Sequence, residues 1–133
     1  MSAFAQQQGT NILNGTFIPA SYVAITAPIK IKQMSVTPDQ NAAGTELSGS
    51  GFTVGGVAIA WNAPVVATGT YSATIGNQAL TIANAPAGTV NGIDIVDSTA
   101  TPRRLMWGAL TTPRTLAAGD TLSYAANAIV ASV

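Results

Sequence analysis

Apolar and polar positions alternate along this chain in short runs, and turn-forming residues interrupt the runs at close intervals. The interruptions are Asn14-Gly15, Pro38-Asp39, Gly55-Gly56, Gly76-Asn77, Gly88, Asn91-Gly92 and Gly119-Asp120. Between them lie stretches rich in Val, Ile, Thr, Tyr and Ala, residues that suit a pleated, half-buried surface. Regular spacing of short strands and turns predicts an all-β fold, an antiparallel β-sandwich of jelly-roll or Ig-like type. Residues 21–133 are expected to form that single domain, and residues 1–20 an extended N-terminal arm. The helix signal is confined to "SAFAQQQG" (2–9), about two turns at most, ended by Gly9.

Individual runs make specific predictions. "SYVAITAPIKIKQM" (21–34) is extended, with Pro28 at an edge, bend or break. Ile29 and Ile31 then share one face and Lys30 and Lys32 the other, which predicts one wet face. "FTVGGVAIAW" (52–61) reads as a strand with a bulge at its Gly pair. "TYSATI" (70–75) and "QALTIA" (78–83) flank Gly76-Asn77 as a tight hairpin. "VNGIDIVD" (90–97) alternates around Ile93 and Ile95. "RRLMWGAL" (103–110) places Leu105, Trp107 and Ala109 on one face. "TLSYAANAIVASV" (121–133) supplies one or two closing strands. Trp61, Trp107 and Tyr124 are expected core aromatics.

Composition then narrows the function. Hydrophobic residues make up 47% of the 133, but Ala supplies much of that, so the core is expected to be thin. Charged residues are only 8% and the net charge is zero, against about 25% charged in an ordinary domain. So little charge predicts that part of the surface is covered by partners. No clustered basic field is present for nucleic acid, and no apolar run reaches the roughly 20 residues of a membrane span. No leader pattern is visible at the N-terminus. The chain has neither Cys nor His. Disulfides, thiolate metal sites and the commonest general base are thereby excluded.

Candidate chemistry is sparse. Asp94 and Asp97 are three apart in a strand, so they point to opposite faces and read as solvated strand-end carboxylates. Asp39 and Asn41 offer oxygen ligands in a loop, but Pro-Asp turn chemistry accounts for them more simply. Asp120 reads as an Asx-type turn. Arg103 and Arg104 face opposite ways, and an interface salt bridge for one of them stands against plain solvation. "SGSG" (48–51) lacks the Lys of a phosphate loop. The reading is therefore no enzyme, no cofactor and no metal site.

Four segments carry a resemblance. "SYVAITAP" (21–28), "GTELSGSGF" (44–52), "GALTT" (108–112) and "AGDTLSYAANAI" (118–129) occur in the order seen in a family of small tailed-bacteriophage virion proteins, tail fiber-like and capsid decoration-like. The chain departs from that pattern after Phe52, where Thr53 and Val54 stand, and in "GTVNGIDI" (88–95). The resemblance implies a structural virion role, assembled in the host cytoplasm. The absence of room for a shaft and of coiled-coil heptads favours a capsid decoration protein. The alternative is a tail fiber or receptor-binding module contacting cell-surface glycan. Implied partners are other virion proteins, the major capsid protein or tail components, and a homo-oligomer with a trimer favoured. Nucleic acid and membrane are not among them. Phe4, Ile12, Leu13, Phe17 and Ile18, apolar side chains ahead of the first strand, are the expected contacts, with Arg103 and Arg104.

Overall fold

A computed structural model describes residues 3–4, 23–66 and 73–132. Among them the chain is all strand, with no helix, in several antiparallel sheets. The main sheet is built on three long neighbours. These are β2 (Lys30–Val36), β8 (Gly88–Val96) and β9 (Arg104–Leu116), and β8 lies in the middle. Short strands complete it: β1 (Ala3–Phe4) on the outer edge of β9, and β3 (Thr45–Glu46) and β4 (Val57–Ala58) on β2. The chain then makes β5 (Val65–Val66), β6 (Ala73–Gly76) and β7 (Leu80–Ile82), and closes with β10 (Leu122–Tyr124) and β11 (Val130–Ser132). β10 pairs with β7, and β6 lies between β11 and β5. The all-β expectation holds.

The core lies where Ile31, Ile93 and Ile95 of the main sheet meet Ile82, Leu122 and Tyr124 of the β7–β10 pair. Phe52 and Ile59 join them from the connections, with Phe52 only 2% exposed. Burying one such side chain stabilises by about 1.5–3 kcal/mol. Few large side chains are available, so each carries a sizeable share of a marginal total.

Two bulges decide which side chains face that core. Ile95 pairs with Met106 and Val96 with Arg104, which leaves Leu105 as an extra residue in β9. An extra residue reverses the alternation beyond it. Leu105 and Met106 both reach the core, whereas Trp107 pairs with Asp94 on the opposite face and is half-buried. The shared face expected for Leu105, Trp107 and Ala109 is therefore broken, and Ala109 is exposed. The second irregularity sets residues 110–113 of β9 against Asn91 alone, because Val90 pairs with Arg114 and Gly92 with Ala109. Asn91 and Gly92 lie inside β8 and form no turn; the Asn91 amide donates to the Ser35 carbonyl at 2.6 Å.

Other sequence expectations are corrected. Gly76 and Asn77 do not close a hairpin, for β6 and β7 belong to different sheets. A tight hairpin turn of that kind needs positive φ, and neither residue adopts it. Asn77 is instead fully buried and cross-links three segments: its amide donates to the Gln78 and Ala125 carbonyls, at 2.7 and 3.0 Å, and accepts from the Ile129 N–H at 2.8 Å. Gly55 and Gly56 form a turn, not a bulge, with φ of +85° and +94° and the Gly56 N–H bonded to the Thr53 carbonyl. Ala3 and Phe4 pair as strand with Trp107 and Met106, so the helix pattern fails there. The rest of that pattern, and the apolar positions Ile12, Leu13, Phe17 and Ile18, lie outside the described residues.

Candidate functional site

Asp97, the residue after β8, has no exposed surface and one fixed set of donors. Its Oδ1 accepts from the Thr99 hydroxyl at 2.8 Å and the Arg103 N–H at 2.8 Å. Its Oδ2 accepts from Arg103 Nε at 2.7 Å and Nη2 at 2.5 Å. Arg103 also donates to the carbonyls of Val23 and Ala24 and so ties the incoming segment to the β8–β9 connection. Burial alone would raise the Asp97 carboxyl; the donors from Arg103 and Thr99 outweigh it and hold the group at about 2.

Asp94 occupies the other face of β8. It is 2% exposed, and Arg104 Nε reaches both its oxygens, at 3.2 and 3.1 Å. Arg104 extends a further donor to the Ala42 carbonyl at 3.1 Å. Lys32 pairs with Glu46 at 3.6 Å on neighbouring strands. Here burial dominates and pushes the Asp94 carboxyl above its usual value, despite Arg104. Arg104 Nη2 and the Trp107 indole N–H, on the same face, are buried without hydrogen-bond partners.

The expectation of two solvated carboxylates is thus corrected. Each buried aspartate needs a cation, because an unpaired charge out of water is costly, and the adjacent arginines supply one each. The face carrying Lys32 is a half-buried charge cluster and not a wet one. Arg103 and Arg104 do point apart, as expected, and both are engaged within the chain. Asp39 and Asp120 hold turns: the Asp39 carboxylate accepts from the N–H groups of Asn41 and Ala42, each at 2.7 Å, and that of Asp120 from the Ala117 N–H at 2.8 Å. Among the described residues no three Asp or Glu side chains converge on a metal-sized site.

A cleft of about 440 Å³ lies between residues 108–112 of β9 and residues 122–130. Leu110, Leu122, Ile129 and Ile93 line it, with Thr111, Thr112, Ser123 and Arg114 adding polar groups. It has no nucleophile with a positioned base. Its two walls coincide with "GALTT" and with much of "AGDTLSYAANAI". The remaining quoted segments also have physical tasks: residues 21–28 supply the carbonyls that hold Arg103, and residues 44–52 supply Glu46 and the buried Phe52.

The Gp80 family model, described as podophage GP4 fiber I protein gp80, matches residues 3–132. The chain belongs to this family. The match covers the whole described fold, and it agrees with the resemblance carried by the four segments to small tailed-phage virion proteins. It supports a structural virion role and a place in the virion. No curated protein matches the chain.

Sequence reasoning missed Gln33, Asn77 and Phe52 as buried residues. The signal for Phe52 was its position at the end of a Gly-rich loop, where a bulky ring needs cover. For Gln33 the signal was its place on the same strand face as Ile29 and Ile31. Asn77 had a misleading neighbour, Gly76, which imitates a turn.

Proposed function

We propose that the chain is a fibre subunit of a tailed-phage particle, working through hydrogen-bonded strands and packed surfaces and not through catalysis. The observation that carries this reading is the family match over residues 3–132. The geometry agrees with it, since the buried carboxylates are used as clamps between strands. The fibre reading takes precedence over the capsid decoration reading, because the family is described as a fiber protein. Decoration of the head is the second reading, favoured by the lack of coiled-coil heptads in these 133 residues. Partners in either case are other virion proteins and further copies of the chain, with a trimer as the working number. Residues 1–20, through Phe4, Ile12, Leu13, Phe17 and Ile18, are the proposed anchor on the particle. Quantitative mass spectrometry of purified particles, with antibody labelling in electron micrographs, tests this. A handful of copies at a fibre supports the main reading, and hundreds over the head support decoration. Absence from particles removes both.

A further inference from the structure

Strand β9 has 13 residues, and β1 covers its outer edge only at Met106 and Trp107. From Gly108 to Leu116 the described strands pair with it on the β8 side alone. Ala109, Thr111, Thr112, Pro113, Arg114 and Thr115 are exposed along this stretch. Open edges in monomeric proteins are guarded by charge, usually Lys, because unpaired N–H and C=O groups invite another strand. This edge has one charged residue, Arg114, and one proline, Pro113, which removes a single donor.

The distribution of charge names the occupant. Three intrachain ion pairs use Lys32, Arg103 and Arg104 with Glu46, Asp97 and Asp94. Among the described residues Lys30, Arg114, Asp39 and Asp120 take part in none of these pairs, although Asp39 feels the charge of Arg104. The remainder is self-complementary: two copies of this chain can neutralise each other's remaining charges, and a net charge of zero sets no long-range repulsion between them. Beside the edge, the cleft floored by Leu110 and Ile129 is open to an aliphatic side chain. Exposed aliphatic side chains are present in the same chain: Val65 and Val66 on strand β5 are 66% and 68% exposed.

We propose that residues 108–116 are the seam between copies: a strand of a second copy adds to the outer edge of β9, and Arg114 meets Asp39 or Asp120 of that neighbour. Strand addition supplies main-chain hydrogen bonds, while the cleft and Arg114 set register and partner. The inference rests on the homo-oligomer reading above and places its contact.

Hydrogen exchange on the full-length protein, with light scattering to count copies, tests it. The expected result is an oligomer in which the outward-facing amides of residues 108–116, those not bonded to β8, are protected at high concentration and exchange quickly after dilution. Arg114→Glu should weaken association by about tenfold, and Arg114→Lys should retain most of it. Adding Asp39→Lys or Asp120→Lys to the Arg114→Glu chain should restore association with one of the two. Arg114 is exposed, so an unchanged circular dichroism spectrum is expected for each arginine variant. A monomer at all concentrations overturns the proposal. So does an oligomer whose outward-facing 108–116 amides exchange like a free edge, or one indifferent to Arg114→Glu. Protection that arises on particles but not in the isolated oligomer assigns the seam to another virion protein and equally overturns it. Particle mass spectrometry reads the virion role separately, so a monomer that is present in particles sinks the seam alone.

Discussion

The Tyr124 hydroxyl donates to Gln33 Oε1 at 2.5 Å, across 91 residues of sequence and between two sheets. Tyr124 belongs to β10 and Gln33 to β2, and both are buried. The bond gives a thin apolar core a polar rivet. Burial pushes the Tyr124 phenol well above its usual value, so it stays a donor throughout the ordinary pH range. Gln33 Nε2 already lacks a partner. Tyr124→Phe would leave both ends of that amide unsatisfied, and it should cost about 1–3 kcal/mol. Urea unfolding with an unchanged slope and a lowered midpoint is the expected result. A midpoint equal to wild type would show that the bond adds nothing.

Asp97 and Asp94 should respond to acid with opposite signs. Asp97 is held at about 2 against a usual 3.8, so it stabilises the fold above pH ~4, and that contribution is lost as pH falls through about 2. The size is about 2 kcal/mol. Asp94 is raised, so its contribution is present in acid and falls away as pH rises from about 4 through its folded value. Asp97→Asn should therefore flatten the acid limb of stability against pH, and Asp94→Asn should not. Thermal midpoints from pH 2 to 7 measure both, and parallel curves for wild type and Asp97→Asn would refute the assignment.

Gly51 stands where a side chain cannot. A Cβ there would lie 1.8 Å from the Ala83 carbonyl oxygen, which is itself backbone. Gly51→Ala should unfold the loop or displace Ala83, at a cost above the roughly 1 kcal/mol typical of a point mutation. Gly119 has open space but a φ of +91°. Gly119→Ala should cost about 1 kcal/mol, from backbone strain alone. Thermal unfolding of the two variants in parallel separates steric from conformational effects, and equal losses would contradict the contrast.

Phe52→Ala should destabilise by about 3–5 kcal/mol, because the ring is 2% exposed within the core. Two residues on, Val54 is 76% exposed, and Val54→Ala should fall within about 0.5 kcal/mol of wild type. Denaturant midpoints rank the pair, and a loss at Val54 as large as at Phe52 would place both in the wrong environment.

Periodicity and turn chemistry by themselves determined the strand class, the long runs through Ile93 and Ile95, and the turns at Asp39 and Asp120. These depend on contacts within a few residues, so the local sequence contains their causes. The order of four loop and strand segments was enough to indicate the family. Tertiary structure alone decided the faces and the partners. One extra residue at Leu105 moved Trp107 off the core side, and no local pattern marks where a bulge will fall. Gly76 and Asn77 look like a turn, yet Asn77 is buried because Ala125 and Ile129 arrive from the far end of the chain to meet its amide. Asp94 and Asp97 look like solvated ends of a strand until Arg103 and Arg104, just before the next strand and at its start, return to neutralise them. Burial of a polar group is settled by whether distant donors and acceptors reach it, and that information exists only in the folded chain.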